Sequence, residues 1–286
     1  MTVSVIIVSW NTKELLKDCL ASLLKELNAL GQTSEVFVID NNSSDGSGVM
    51  VKDNFPAVKL IQNLDNKGFG RGCNQGIQSS TGEYMFLLNP DTIVLPGSIQ
   101  TLLEFASIHP RAGIVAPQLL NTDGSIQRSC REFPSIAGMF YELSGLSRMF
   151  PEEPRFRKYK MLDFDHNRLM QVDQPEGAAL LIPRKALNEV GHFDEKFFML
   201  FEEVDLCYRI KKAGWEIWFN PESKITHHYG QSIKKVKAKM IIHSHKGMYY
   251  FWSKHHTEWY HFLFKPFFGL MLLSLAVLRI IFYKLR

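Results

Sequence analysis

The stretch EYMFLLNPDT, residues 83–92, joins an apolar run directly to a carboxylate, and this junction indicates the fold class. A strand that is covered on both faces reads as a nearly continuous hydrophobic stretch, and Pro90 cannot donate a hydrogen bond to a neighbouring strand, so the strand must end there. Asp91 is therefore expected at the carboxyl edge of a sheet. Ligands of open α/β sheets bind at that edge, so Asp91 is either a ligand-binding residue or an ordinary turn aspartate.

The neighbouring sequence predicts a parallel, Rossmann-like first half. Apolar segments alternate with stretches of helical periodicity, which is the pattern of βαβαβ units; the segments lie at 3–10, 35–40, 58–61 and 83–88. Later apolar runs are spaced less regularly and predict a mixed extension of the same sheet; they lie at 113–120, 177–183 and 215–219. The charged stretch at 150–176 is expected to be a surface loop or flap.

Composition is that of a globular protein of 286 residues, 45% of them hydrophobic. The net charge is only +4, and the basic residues concentrate at 234–239 and at the final KLR, beside an apolar tail. This arrangement favours an anionic membrane surface over a nucleic-acid partner. The four cysteines are scattered without a CxxC pair, which indicates a reducing cytosol, and the N-terminus is typical of a first strand and not of a signal peptide.

Polar side chains follow the first two predicted strands. Ser9 and Asn11 end the first strand and Asp40 ends the second, so they are expected at the same sheet edge. Asp40 suits a ribose hydroxyl or a base N–H, because an ionised carboxylate only accepts hydrogen bonds. The alternative for Asp40 is an Asx turn or a helix cap, whereas a helix cap is the favoured role of Asp45.

A glycine-rich loop, NLDNKGFGRGCNQG at 63–76, allows close approach of the backbone to a ligand. Neither the dinucleotide fingerprint G-x-G-x-x-G nor a Walker lysine motif fits it, which disfavours a nicotinamide oxidoreductase and an NTPase. The loop is still expected to place backbone N–H groups and Arg71 near a diphosphate.

The segment FFMLFEEVDLCYRIKKAGW, residues 197–215, supplies candidate bases. Glu202, Glu203 and Asp205 begin a helix, where acids are commonly dipole partners, and Asp205 with Arg209 forms an i,i+4 pair. The apolar segment FFMLF that precedes these acids instead favours a partly buried site, in which a carboxyl group with a raised pKa suits the role of general base. His227 follows a short strand and is a core or surface histidine unless the fold brings an acid close to it.

These motifs occur in a fixed order between residues 3 and 232: SVIIVSWN, VIDNNSSDGS, NKGFGRGCNQG, LLNPDT, GSIQRSC with FPS, FDEKFFMLFEEVDLCYRIKKAGW and ITHHYGQS. In this order they resemble the family 2 glycosyltransferases of GT-A fold, in particular the bacterial rhamnosyltransferase-like branch. The resemblance implies a nucleotide-sugar donor at the carboxyl edge, with Asp40 on its pyrimidine base. The donor-binding residues that it implies are Ser9, Asn11, Asp40, Asn66, Gly68, Arg71, Asn89 and Asp91.

The resemblance also implies a metal site. Asn89-Pro90-Asp91 resembles the family's DxD motif, in which Asp91 would bind Mg²⁺ or Mn²⁺ on the donor diphosphate while Asn89 replaces the first carboxylate. A histidine after the last core strand contacts the metal in relatives. His227 is the better match to it, and His228 is the reserve.

In the family's base motif the second of two adjacent acids deprotonates the acceptor hydroxyl, and here that position is Glu203. Members commonly carry Asp there, so either the backbone compensates for the longer side chain or the base is Glu202 or Asp205. The implied reaction is a single displacement with inversion at the anomeric carbon. A branch-level likeness indicates dTDP-rhamnose as donor. The alternatives are a UDP-sugar such as UDP-galactofuranose, or a nucleotide-sugar-binding relative that has lost catalysis.

The predicted organisation is a GT-A domain at 1–232, with a donor half at about 1–120 and an acceptor half at about 121–232, followed by a basic and apolar helical region at 233–286. From Pro266 to Tyr283 a helix would span about 27 Å, marginal for a bilayer core of about 30 Å.

Interfacial insertion, supported by the lysines at 234, 235, 237 and 239, is therefore expected over a full span. The alternative is that this helix packs on the domain or forms a dimer contact, so a homo-oligomer is a second expectation. The family resemblance and the basic, apolar C-terminal region together predict an enzyme that acts on a lipid-linked glycan. It is expected at the cytoplasmic face of a bacterial inner membrane, either peripheral or anchored by its C-terminal region.

Overall fold

The computed structural model describes residues 2–228, 237–257 and 259–284, and a mixed sheet forms its centre. The strands are β1 (Val3–Ser9), β2 (Ser34–Asp40), β3 (Lys59–Gln62), β4 (Tyr84–Leu88), β5 (Thr92–Val94), β6 (Ala112–Leu120), β7 (Ile126–Gln127), β8 (Cys130–Arg131), β9 (Met170–Gln171), β10 (Gln174–Pro175), β11 (Ala179–Pro183) and β12 (Glu216–His227). The helices are α1 (Lys13–Leu30), α2 (Ser47–Asn54), α3 (Phe69–Ser79), α4 (Ser98–Ile108), α5 (Ile136–Ser144), α6 (Leu146–Met149), α7 (Pro154–Arg157), α8 (Arg184–Val190), α9 (Glu202–Lys212), α10 (Lys237–His255) and α11 (Trp259–Lys284).

The first half is the parallel unit that the apolar pattern predicts. Strands β3, β2, β1 and β4 lie side by side in that order, and all their pairings are parallel. Every residue of β1 is buried, which explains its continuous apolar sequence. Ser9 pairs in register with Asp40, so the polar residues that end β1 and β2 lie at one sheet edge.

The second half extends the sheet in mixed orientation, as predicted. Strand β11 is antiparallel to both β4 and β6, whereas β12 is parallel to β6 and antiparallel to β5. Residue His227 of β12 pairs with Thr92 of β5. This pairing brings the end of the last strand beside the turn that follows Leu88, although the two are distant in sequence.

Helices cover both faces of the sheet, and a further core lies between the acid-bearing helix and the C-terminal helices. Phe201 and Val204 pack there with Trp252 of α10 and with Phe268 and Leu272 of α11. The stretch at 150–176 contains α7, β9 and β10, so part of the predicted flap is ordered by strand pairing. All four cysteines are free and buried.

Helix α11 has two different faces. Its inner face is buried at Phe268 and Leu272, whereas its outer face exposes large apolar side chains: Phe262, Leu263, Phe264, Phe267, Leu270, Leu273, Val277, Leu278 and Ile281. In the described part of the chain, His261–Ile281 is a helical segment with the length and hydropathy of a membrane span, a property that buried helices of soluble proteins share. The predicted domain boundary at 232/233 and residues 234–236 of the basic cluster lie outside the described residues.

Candidate active site

A cavity of about 430 Å³ opens at the carboxyl edge of the sheet. Strand ends, the glycine-rich loop, the start of α9 and the first turns of α10 all contribute to it. The lining residues that bear on its chemistry are Ser9, Trp10, Asn66, Gly68, Asn89, Asp91, Glu176, Phe198, Glu202, Glu203, His227, Lys239, Met240 and His243.

The turn between β4 and β5 holds Asp91 at the cavity wall. The Asn89 N–H donates to the Ala178 carbonyl at 2.8 Å, and the Thr92 hydroxyl donates to the Asn89 carbonyl at 2.7 Å. The His228 N–H donates to the Asp91 carbonyl, also at 2.8 Å. Because the backbone is fixed on both sides, the carboxylate position is set by the sheet and not by a mobile loop.

His227 lies against this carboxylate, with its Nε2 3.5 Å from Asp91 Oδ1. Its Nδ1–H donates to Gln127 Oε1 at 2.8 Å, and the same amide donates from Nε2 to Asn121 Oδ1 at 3.0 Å. This chain of hydrogen bonds holds the imidazole ring with its Nε2 on the side of Asp91. The other candidate, His228, contributes its backbone here, and its side chain does not line the cavity.

This pair fits a divalent cation that takes its remaining ligands from a substrate. One carboxylate and one imidazole are suitable donors, and Mg²⁺ is commonly held by one or two carboxylates together with substrate phosphates. Within the described residues no group of three or more His, Cys, Asp or Glu side chains is arranged as a metal site. A cation at Asp91 and His227 would therefore depend on phosphate oxygens and water for its other ligands.

Helix α9 begins in a tight turn that directs two acids into the cavity. Leu200 and Phe201 both have left-handed backbone angles, with φ of 68° and 79°, which non-glycine residues rarely adopt. Glu202 and Glu203 follow directly, and the Oε2 atom of each is buried without a hydrogen-bond partner among the described residues. A buried carboxylate oxygen with no donor is suited to accept a proton.

The pKa values of both acids are raised. Burial, followed by the charge of Glu203, holds the pKa of Glu202 well above its ordinary range. Burial also raises the pKa of Glu203, and the nearby Glu176 adds to the effect, whereas Arg131 opposes it. Two adjacent buried carboxyls cannot both ionise easily, so they titrate as a pair.

The two acids face different parts of the cavity. A Cβ built on Gly70 would lie 3.5 Å from Glu202 Cβ, so Glu202 borders the first turn of α3. Residues 69–76 of the glycine-rich stretch, expected to be a loop, belong to this helix. A Cβ built on Gly177 would lie 3.3 Å from Glu203 Cγ, so Glu203 borders the segment between β10 and β11. The predicted base therefore lies on the side of the second half of the sheet.

Asp205, the other alternate base, is engaged elsewhere. Its carboxylate accepts hydrogen bonds from Arg209 Nε at 2.8 Å and His255 Nε2 at 2.7 Å, and its Oδ1 lies 2.8 Å from Lys254 Nζ. Burial acts to raise the pKa of Asp205, but the hydrogen bonds from His255 and Lys254 together with Arg209 outweigh it and lower the pKa to about 2. Asp205 does not line the cavity, and it ties α9 to α10.

The glycine-rich loop packs directly onto the turn before α9. Gly68 has a φ of 84°, and a Cβ there would lie 2.3 Å from the Phe198 carbonyl oxygen, so only glycine fits. The Phe69 N–H donates to that oxygen at 3.1 Å, and Asn66 Oδ1 accepts from the Gly68 N–H at 3.0 Å. Arg71 instead pairs with Glu195 at 2.7 Å and does not line the cavity.

Asp40 and Asn11 lie beside the cavity and not in its wall. Asp40 is buried and its Oδ1 accepts from the Ser43 N–H at 3.1 Å, whereas Asn11 Oδ1 accepts from the Ser44 N–H at 2.8 Å. Both therefore organise the loop after β2, next to Ser9, which does line the cavity. Their contact with a nucleotide stays a prediction.

Sequence reasoning missed two parts of the wall. Glu176 adds a fourth carboxyl group beside Asp91, Glu202 and Glu203; its pKa is raised by burial and lowered to a lesser extent by His227 and Arg131. The sequence signal that could have identified Glu176 is its position directly before the apolar run GAALLIP at 177–183. Lys239, Met240 and His243 come from α10, beyond residue 232, and no local sequence feature marks them as cavity residues.

Comparison with known proteins gives consistent results. Residues 4–170 match the profile described as "Glycosyl transferase family 2". The chain is 33% identical over 241 residues to an N-acetylglucosaminyl-diphospho-decaprenol L-rhamnosyltransferase of Mycobacterium tuberculosis, covering 79% of this chain and 76% of the relative. It is 27% identical over 220 residues to a low-salt glycan biosynthesis hexosyltransferase of Haloferax volcanii, covering 75% of this chain and 63% of that protein.

Solved structures show the same fold at low identity. A mannosyltransferase from Pyrobaculum calidifontis, in complex with GDP-Man and Mn²⁺, superposes with a TM-score of 0.60 at 15% identity, covering 96% of this chain and 73% of the other. S. aureus TarS in complex with UDP superposes with a TM-score of 0.54 at 15% identity, covering 96% and 71%. The predicted GT-A fold is thus confirmed. Because the matched profile covers more than half of the chain and includes Ser9, Gly68 and Asp91 of the cavity wall, the chain belongs to glycosyl transferase family 2.

Proposed function

We propose that this enzyme transfers one sugar, with inversion, from a nucleotide-sugar donor to a lipid-linked glycan acceptor. The observation that carries the proposal is the shared cavity. It holds two buried acids that have unpaired oxygens, Glu202 and Glu203, together with the pair of Asp91 and His227.

Glu203 is the proposed base. Its unpaired Oε2 takes the proton of the acceptor hydroxyl as that oxygen forms a bond to the anomeric carbon, and the bond from that carbon to the diphosphate breaks on the opposite face. Burial and the charge of Glu176 raise the proton affinity of Glu203, and Glu202, which borders the first turn of α3, is the alternate base. Asp205 is disfavoured as the base because its pKa is lowered and its carboxylate is held by Arg209, Lys254 and His255.

Asp91 and His227 would hold a divalent cation, Mg²⁺ or Mn²⁺, and when bound it would supply positive charge for the leaving nucleoside diphosphate. Asn89, Asn66 and Gly68 border the same part of the cavity and are proposed to contact the donor. The donor that we propose is dTDP-rhamnose, supported by the name of the mycobacterial relative. A UDP-sugar such as UDP-galactofuranose is the second choice.

The lipid-linked acceptor is supported by the same relative and by the exposed apolar face of α11. We place the enzyme at the cytoplasmic face of a bacterial membrane, where a nucleotide-sugar and a lipid-linked precursor are both accessible. The exposed face of α11 would enter the interface while its inner face stays packed on the domain.

The test is transfer by purified full-length protein in detergent. A synthetic N-acetylglucosaminyl-diphospho-farnesol is incubated with dTDP-rhamnose or UDP-galactofuranose, with Mg²⁺, with Mn²⁺ or with EDTA. We expect a metal-dependent product from dTDP-rhamnose whose anomeric configuration, read by NMR coupling constants, is opposite to that of the donor. Donor binding without turnover under every condition would instead support the catalytically impaired relative, and a retained configuration would exclude Glu203 as the base of a single displacement.

A further inference from the structure

The wall that α10 contributes to the cavity differs in charge from the rest. The carboxyl groups of the lining belong to strand ends, to the segment before β11 and to α9, whereas α10 contributes Lys239 and His243. Among the described lining residues Lys239 is the one lysine, and there is no arginine. Lys239 forms no ion pair with any residue in the described ranges, whereas Lys254 of the same helix binds two carboxylates.

Lys239 and His243 are four residues apart on one helix, so they lie on the same face about one turn from each other. The His243 ring is stacked on Phe198, with the ring centroids 4.8 Å apart and the planes at 26°. Burial lowers the pKa of His243, and the charges of Lys246 and Lys239 lower it further. The lowered pKa disfavours a charged His243, so this wall offers one cation without an ion pair among the described residues, Lys239, beside an imidazole that can still donate a hydrogen bond. Such a pair of donors suits a phosphate group.

Apolar side chains surround these two residues and continue towards the outer helix. Met240 lies between them in sequence and lines the cavity, together with Phe198 and Leu200. Helix α10 packs on α11 through Trp252, which lies 4.8 Å from Phe268 between ring centroids. One helical hairpin thus presents a cationic wall to the cavity and an apolar face to the exterior.

We propose that Lys239 and His243 form a binding subsite for the diphosphate group of the lipid-linked acceptor. This inference rests on the proposed function and specifies how the acceptor is held. The diphosphate lies against the start of α10, the lipid follows the apolar residues of the hairpin, and the sugar reaches Glu203. The pair of Asp91 and His227 remains with the diphosphate of the donor.

The test compares Lys239→Gln with Lys246→Gln, which removes the same charge from the same helix at an exposed position outside the cavity. Transfer is measured against the concentration of N-acetylglucosaminyl-diphospho-farnesol at saturating donor, and dTDP binding is measured by calorimetry. We expect Lys239→Gln to raise the acceptor KM about tenfold, since a charge-assisted hydrogen bond is lost, with kcat and dTDP affinity within about twofold of the parent. Lys246 acts on His243 only through its charge from outside the cavity, so Lys246→Gln should leave each of these values within about twofold of the parent.

An equal loss of dTDP affinity in Lys239→Gln would overturn the assignment, because the bound diphosphate would then be that of the donor. An unchanged acceptor KM would overturn it as well. If the parent enzyme transfers no sugar from any donor, the proposed function fails, but the subsite is still tested by calorimetry with farnesyl diphosphate. Weaker binding to Lys239→Gln than to Lys246→Gln then supports the subsite, and equal binding refutes it.

Discussion

Glu202 and Glu203 are adjacent in sequence but border different sides of one cavity, so single substitutions can separate their roles. We expect Glu203→Gln to lower kcat by about two to four orders of magnitude, because glutamine keeps the shape of the side chain but cannot take the proton. The donor KM should stay close to that of the parent. Steady-state transfer at varied donor concentration measures both quantities, and calorimetry with dTDP checks that nucleotide binding is retained.

Glu202→Gln and Asp205→Asn are the matched controls for this prediction. Asp205→Asn is expected to act on stability, because its partners are Arg209, Lys254 and His255. If Glu203→Gln keeps near-normal turnover while Glu202→Gln loses it, the base is Glu202.

The raised pKa of Glu203 also predicts a pH dependence. The base works in its ionised form, and burial raises its pKa above the ordinary value of 4.5, so kcat should rise with pH through an apparent pKa above 4.5 and then level off. A stopped assay at saturating substrates, with circular dichroism at each pH to confirm that the enzyme is folded, measures this limb. A kcat that is constant from about pH 4.5 to 7 would show that no group with a raised pKa limits the reaction.

At the scale of elements, the contact between α10 and the turn before α9 determines where the two acids lie. A Cβ on Gly247 of α10 would lie 2.9 Å from the Leu200 carbonyl oxygen and 3.3 Å from Phe201 Cβ. A glycine inside a helix costs about 1 kcal/mol relative to alanine, so close approach of the backbone is the compensating reason for it here. The left-handed residues Leu200 and Phe201 are held between this helix and the Gly68 loop.

Gly247→Ala should therefore impair catalysis while it improves helix propensity. We expect kcat to fall at least about tenfold, because a displaced turn moves Glu202 and Glu203, with dTDP affinity unchanged. The control is Gly269→Ala on α11, where the new methyl group would meet the Tyr249 ring edge at 3.3 Å and no backbone atom. Equal activity of the two variants would show that α10 does not position the acids.

At the scale of the whole molecule, α11 combines core packing with an exposed apolar surface. Removing residues 262–286 would take Phe268 and Leu272 out of the core as well as the exposed side chains, so a truncation cannot separate the two roles. Point substitutions can separate the two roles of α11, because Phe262, Phe267 and Leu270 are 73%, 72% and 64% exposed, whereas Phe268 is 5% exposed.

The triple variant Phe262→Ser, Phe267→Ser and Leu270→Ser should lose binding to anionic vesicles in a flotation assay and keep the thermal midpoint of the parent. The single variant Phe268→Ala should show the opposite result, with unfolding free energy lower by about 3 kcal/mol and vesicle binding retained. A triple variant that still floats with the vesicles would show that α11 is not the membrane-binding element.

Much of the fold and about half of the cavity wall could be predicted from local sequence. Continuous apolar runs identify buried parallel strands, and Pro90 ends β4 because proline has no backbone N–H to donate. Since β1 and β4 are parallel neighbours, Ser9 and Asp91, at or just after their carboxyl ends, lie at the same edge of the sheet. The motifs between residues 3 and 232 predicted the family from local sequence as well, because several of them mark the ends of successive strands. The i,i+4 pair of Asp205 and Arg209 is equally local, and it is observed.

The division of roles among the acids was decided only by tertiary structure. Asp205 is held by His255, which lies 50 residues away in sequence. Glu203 has an unpaired Oε2 and lies near Glu176 and Gly177, which come from the segment between β10 and β11. Lys239 reaches the cavity because α10 packs across the turn before α9. Sequence by itself determined the sheet, its edge and the residues that end its strands, since these depend on neighbours along the chain. The burial, pairing and charge of each acid depend on neighbours that only folding brings together.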